Sequence, residues 1–281
     1  MYKEGWVRSA DGVRLSWRRR SPEAGEPVAT LLFVHGLGEH SGRYQGVLDS
    51  FAERGFECWA LDCRGHGMSP GRRVHVKHFD ELLADVRSVA ELALDKAPNL
   101  PFFPVGHSQG GLIVLRYALT HPEDLAGVIA SSPFLAVHPD TAPGAALRAV
   151  ARALSVLAPG LMFPSGVDAD LLSHDPRVCT AYREDPLVSR RVSARWFTSV
   201  TAAQTETRAG AAELRVPALI MQSGADRIVD PAATRDWATA APAELVEYVE
   251  WEGLYHEMFN EPERERVFAR MEEWLRARIG R

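Results

Sequence analysis

Gly106-His107-Ser108-Gln109-Gly110, followed by Gly111, fits the pattern G-x-S-x-G. It follows a short apolar run, Pro101 to Val105, and precedes an apolar stretch over 109–119. Strand, tight turn and helix in that order are what a nucleophile elbow requires. The turn is strained, so small residues must flank the serine. Its hydroxyl then stands exposed at a helix N-terminus, where the helix dipole favours negative charge. The five-residue pattern alone recurs by chance, and a glycine-rich turn with Ser108 as a simple helix cap is the plainer reading. The setting, the extra glycine and the partners found downstream favour the nucleophile.

A serine hydroxyl attacks a carbonyl only when a base takes its proton. Of ten histidines, His35, His66 and His107 sit inside glycine motifs and read as structural. His256 lies in a loop after an apolar run at 244–251 and before the last helical segment, which suits a base. The base in turn needs a carboxylate to fix its tautomer and stabilise the imidazolium. Asp226, just past the run 218–222, is the candidate. Asp230, in Val-Asp-Pro, reads as a cap for a helix beginning at 231. The order Ser108, Asp226, His256 is the chain order of the elbow hydrolases. The developing oxyanion needs two backbone donors. The elbow predicts Gln109 N–H for one, and the loop His35-Gly36-Leu37-Gly38 is expected to supply the other.

These residues need a scaffold that brings them together. Residues 6–20 read as a hairpin about Asp11-Gly12. Strands are expected at 28–34, 56–61, 101–105, 125–131, 218–222 and 244–251. Helices are expected at 44–54, 80–96, 109–119, 231–240 and 262–279. Alternating strands and helices imply an α/β protein with a mostly parallel sheet covered on both faces. In such sheets the chemistry collects at the carboxyl ends of the strands, where the polar motifs here fall. Residues 136–200 break the rhythm. Leu147, Val150, Leu154, Leu157 and Leu161 recur at helical spacing there, with Arg148 and Arg152 on other faces. This segment reads as a helical cap inserted between core stretches 1–135 and 201–281.

The chain has 281 residues, 46% apolar and 25% charged, which is ordinary for a globular protein and excludes disorder. No apolar run is long enough to span a membrane. A net charge of −5 argues against a dedicated nucleic-acid binder. Cys58, Cys63 and Cys179 form no metal or disulfide pattern, and the first two read as core residues. His256-Glu-Met-Phe-Asn260 is not H-E-x-x-H, and no phosphate-binding loop occurs, so no cofactor or metal is expected. The opening residues contain no apolar leader core, so a cytoplasmic location is the expectation, with peripheral membrane contact through the cap.

His35-Gly36-Leu37-Gly38-Glu39-His40-Ser41-Gly42-Arg43-Tyr44 resembles the HGxGEHSGRY segment of monoacylglycerol lipases and their lysophospholipase-like bacterial relatives. Residues 62–71 resemble that family's DxRGHGxSxG loop, and Gly106 to Gly111 its GHSxGG elbow. Asp185-Pro186-Leu187, Gly224-Ala225-Asp226 and Tyr255-His256-Glu257 resemble its cap end, acid site and base site. The resemblance covers about residues 6–280 and is weakest over 136–200. It implies an α/β-hydrolase fold with a helical cap, a Ser108-Asp226-His256 triad, and oxyanion N–H groups on Leu37 and Gln109. The family places small or Met-like apolar residues at some of these points, so Leu37 and Gln109 are expected to reshape the pocket floor.

The implied reaction is two-step acyl transfer. His256 deprotonates Ser108, which attacks an ester carbonyl; His256 then protonates the leaving alcohol and activates water. The expected substrate is a single-chain lipid ester, a monoacylglycerol or lysophospholipid. Leu161, Met162 and Phe163 would line an acyl channel or touch a membrane. A short-chain carboxylesterase or thioesterase is the nearest alternative, and a non-catalytic ligand-binding hydrolase fold the alternative of another class.

Overall fold

A computed structural model describes residues 1–279; the last two residues of the 201–281 stretch lie outside the described residues. An opening hairpin of β1 (Tyr2–Arg8) and β2 (Arg14–Arg20) precedes β3 (Thr30–Val34), α1 (Gln45–Glu53), β4 (Glu57–Leu61) and α2 (Asp80–Lys96). Next come β5 (Phe102–His107), α3 (Gln109–Thr120) and β6 (Val128–Ser131). The segment that breaks the rhythm holds α4 (Ala145–Leu157), β7 (Met162–Pro164), α5 (Pro176–Glu184), β8 (Arg191–Ser193) and the start of α6 (Ala194–Ala209). The chain closes with β9 (Ala218–Ser223), α7 (Pro231–Ala240), β10 (Val246–Trp251) and α8 (Arg264–Arg276).

Eight strands form one sheet in the order β1-β2-β4-β3-β5-β6-β9-β10. Within it β2 pairs antiparallel with both β1 and β4, whereas β4, β3, β5, β6, β9 and β10 pair in parallel; β7 and β8 form a separate antiparallel pair. Strand β3, Thr-Leu-Leu-Phe-Val, is buried along its whole length, because helices cover both faces. Leu32 and Val34 pack on the side of α2 and α3, while Leu31 and Phe33 pack on the side of α1 and α8. The chain is an α/β-hydrolase in architecture, and a parallel sheet puts the carboxyl ends of β3, β5, β9 and β10 along one edge.

Two features of residues 136–209 go beyond what the sequence pattern says. Helix α6 runs through position 200, so the segment has no break where the sequence reading ended it. Its Trp196, Val200, Ala203 and Thr207 are buried at helical spacing, but the threonines and alanines between them blur the amphipathic pattern. Helix α4 is the reverse case. Its apolar periodicity is strong, yet of its thirteen residues only Ser155 is buried. Leu147, Val150, Val156 and Leu157 are exposed.

Candidate active site

Ser108 sits between β5 and α3 with φ 54° and ψ −117°, a left-handed conformation that costs a non-glycine residue free energy. The surrounding glycines permit the turn. A Cβ on Gly106 would stand 2.1 Å from the carbonyl oxygen of Gly110, and one on Gly110 would stand 1.9 Å from that of Val34. The elbow is thus pressed between its own helix and β3, and side chains are excluded on both flanks.

Asp226 follows β9 and His256 follows β10, two adjacent strands. His256 Nδ1 lies 2.7 Å from Asp226 Oδ2. The other carboxylate oxygen, Oδ1, accepts from the backbone N–H groups of Ile228 (2.9 Å) and Val229 (3.0 Å). Both side chains are buried. Burial is the largest influence on each and opposes both charges, but their mutual attraction overrides it. Asp226 is held below the ordinary carboxylate range and His256 above the ordinary imidazole value. Asp230 caps α7, its carboxylate accepting from Ala232 N–H at 3.0 Å.

Ser108 and His256 both line one cavity of about 540 Å³. Ser108 Oγ makes no hydrogen bond to a described residue, so serine and imidazole share the cavity without a direct bond; uncomplexed sites often lack it. The backbone N–H of Leu37 and that of Gln109 likewise donate to no described group. His107, read as structural from sequence, also lines the cavity, with its ring centroid 4.7 Å from that of His256. Burial and the neighbouring imidazole push its pKa down to about 3, so it stays neutral beside the base.

The rest of the cavity wall is mostly apolar. Phe134, Val137, Leu147, Val150, Phe163, Phe197, Val200 and Ile228 contribute, largely from the inserted segment. Glu39, Tyr182 and Glu257 give it a polar side. Leu161 is exposed and Met162 half-buried, so of the three cap residues expected to line a channel only Phe163 does so.

The sequence reading assigned no role to a buried ionic network beneath the site. Glu39 Oε1 accepts from Gly36 N–H (2.6 Å) and from Tyr44 Oη–H (2.8 Å). Arg43 donates to Glu39 and forks both oxygens of Glu257 at 2.7 and 2.8 Å. The network therefore ties the loop carrying Leu37 to the residue after His256. His40 Nε2 reaches Asp185 of the inserted segment at 2.8 Å, and Glu257 N–H donates to Leu172 O at 2.8 Å. Asp62 receives Ser41 N–H (2.7 Å) and Met68 N–H (2.8 Å), which folds residues 62–71 against the same loop. The signal was present in the charged residues of the 35–44 motif, but spacing alone does not say which charges meet.

No helix among the described residues is long and apolar enough to cross a membrane. Among the described residues no cluster of His, Cys, Asp and Glu is arranged to hold a metal ion. The three cysteines are free and buried.

The family described as serine aminopeptidase, S33, matches residues 25–263. The chain is 35% identical over 265 residues to the monoacylglycerol lipase of Mycolicibacterium smegmatis, covering 94% of this chain and 93% of that one. It is 35% identical over 253 residues to the phospholipase YtpA of Bacillus subtilis, covering 88% and 94%. Among solved structures, the monoacylglycerol lipase of Paleococcus ferrophilus superposes with a TM-score of 0.82 at 34% identity over 99% of both chains. The chain therefore belongs to the serine aminopeptidase S33 family of α/β-hydrolases and is a serine ester hydrolase.

Proposed function

We propose that the chain hydrolyses single-chain lipid esters, with Ser108 as nucleophile, His256 as base and Asp226 as the carboxylate that orients it. The observation that carries this reading is the buried 2.7 Å His256–Asp226 contact, with His256 lining the same apolar cavity as Ser108. Asp226 holds the Nδ1 side of the ring, which leaves Nε2 to take the Ser108 proton. The unpaired N–H groups of Leu37 and Gln109 receive the oxyanion as the tetrahedral intermediate forms. Expulsion of the alcohol, protonated by His256, leaves an acyl-serine. Water activated by the same imidazole releases the fatty acid.

The apolar bulk of the cavity suits one acyl chain. Two carboxylates, Glu39 and Glu257, line its polar side, while the one guanidinium paired with them, Arg43, lies behind the lining. That excess of negative charge disfavours a phosphate and suits a glycerol head group, so a monoacylglycerol is the preferred substrate. The names of the Mycolicibacterium and Paleococcus relatives support this choice.

Residues 136–200 act in this reading as a lid over the core. The exposed apolar side chains of α4, with Arg148 and Arg152 between them, rest transiently on a lipid surface and let substrate pass into the cavity. A panel of esters varied in acyl length and head group, run beside Ser108→Ala, tests the whole reading. The expected result is an optimum on monoacylglycerols of medium or long chain. An optimum at acetate, with no turnover of long monoacylglycerols, would refute it.

A further inference from the structure

Two aromatic side chains wall the cavity beside Ser108, and the elbow is bonded to the backbone of one residue and to the side chain of the other. Phe134 N–H donates to Ser108 O at 2.9 Å. Trp196 Nε1–H donates to Gln109 Oε1 at 2.7 Å, with both residues buried. The two rings stack, with centroids 6.5 Å apart and planes within 13°. Gln109 thus has two ends of different use: its backbone N–H faces the cavity in the reading above, and its side chain reaches α6.

Folding alone does not require that bond. The indole N–H groups of Trp17, Trp59, Trp251 and Trp274 are buried without a partner, so this fold tolerates an unpaired indole. Gln109 in addition leaves its own Nε2 buried and unpartnered, a cost that an apolar residue of the same length would not incur. The root of α6 is fixed independently. Ser193 Oγ caps the helix by accepting from Trp196 N–H at 3.1 Å, and lies 2.9 Å from His75 Nδ1, while Ser193 N–H donates to Val74 O at 3.2 Å. What the Gln109 amide adds is the rotation of one indole relative to the nucleophile.

We propose that Gln109 and Trp196 are a positioning pair that sets acyl-chain selectivity, the amide at the residue after the nucleophile holding the indole as a fixed wall of the acyl cavity. The proposal rests on the assignment of Ser108 as nucleophile. With the bond intact, the bore beside Ser108 has one shape. Without it the indole turns about its side-chain bonds, and the part of the cavity met first by the acyl chain changes width.

The test compares wild type, Gln109→Met, Trp196→Phe and the double variant on p-nitrophenyl esters from two to sixteen carbons. Trp196→Phe keeps a ring and removes the N–H; Gln109→Met keeps the length and removes the acceptor. Each single variant is expected to shift the ratio of long-chain to short-chain kcat/KM by about five-fold or more, and the double variant by the same factor, not the product. A merely structural role scales all chain lengths alike. Ratios within about two-fold of wild type in Trp196→Phe, or shifts that multiply in the double variant, overturn the pair. If Gln109→Met fails to fold, the ratio in Trp196→Phe decides. Fluorophosphonate labelling of wild type at Ser108 separates the two failures: labelled enzyme with unshifted ratios sinks the pair alone, whereas unlabelled wild type sinks the nucleophile assignment and the pair with it.

Discussion

Arg43 holds both carboxylate oxygens of Glu257, the residue after His256, while the same guanidinium reaches Glu39. One cation thereby joins the loop of the proposed oxyanion donor Leu37 to the loop of the proposed base. Burial works against charge on Glu39, yet Arg43 and His35 hold its pKa below the ordinary glutamate value. Arg43→Met is expected to leave two buried carboxylates without their counter-ion and to cost about 3–5 kcal/mol of stability, read from urea unfolding. Adding Glu257→Gln to that variant is expected to restore part of the loss. A variant as stable as wild type would mean that the network carries no structural weight.

Ser108 stands at positive φ, so its replacements separate strain from chemistry. Ser108→Ala is expected to lower ester turnover by at least about 10³-fold and to abolish fluorophosphonate labelling. Ser108→Gly is expected to be equally inactive but to unfold later than Ser108→Ala by about 1 kcal/mol, because glycine adopts the left-handed conformation without strain. Equal stability of the two variants would show that the elbow stores no strain at this residue.

The His256–Asp226 pair makes activity and stability respond to pH in opposite directions. The base works only when neutral, and its pKa in the folded chain lies above the ordinary 6.5. The acid limb of kcat/KM is therefore expected above 6.5. The stability that His256 contributes is complete below its unfolded pKa and is lost as pH rises through the folded one, while activity rises over that same window. Asp226, held below the ordinary 3.8, contributes stability above that value which is lost as pH falls through its lower folded pKa. In Asp226→Asn the limb is expected to move toward acid and the plateau to fall roughly 10⁴-fold. His107 does not blur the measurement, because its pKa near 3 keeps it neutral throughout. A limb that stays in place in Asp226→Asn would assign the ionisation to another group.

The alternation of strands and helices was legible because each core strand is a continuous apolar run flanked by glycine and polar turns. Candidates for the site were legible because an elbow, an acid and a base each carry a local signature at a strand end. The supporting charges were not. Arg43 and Glu257 are separated by 214 positions, and only the folded chain reveals that they pair. Residues 136–200 were legible as holding an apolar-periodic helix, but not in what its faces meet. Hydrophobic periodicity marks an apolar face without saying what it meets: Leu147 and Val150 of α4 line the open cavity, while Val156 and Leu157 point to solvent. Helix α6 is covered, but its buried face is a tryptophan, a valine and small residues whose pattern threonines obscure.

The exposed end of α4 makes the last prediction. Val156 is 72% and Leu157 81% exposed, so replacing both by serine removes almost no packing and is expected to change stability by less than about 0.5 kcal/mol. If α4 rests on lipid, the double variant should lose apolar area that would otherwise be buried in the headgroup region. Its turnover of monoacylglycerol in vesicles, relative to turnover of a monomeric ester below its aggregation threshold, is expected to fall several-fold. Co-sedimentation with the same vesicles should weaken in parallel, since the same contact is lost. A variant with both the wild-type turnover ratio and wild-type vesicle binding would leave the exposed leucine and valine without a lipid partner.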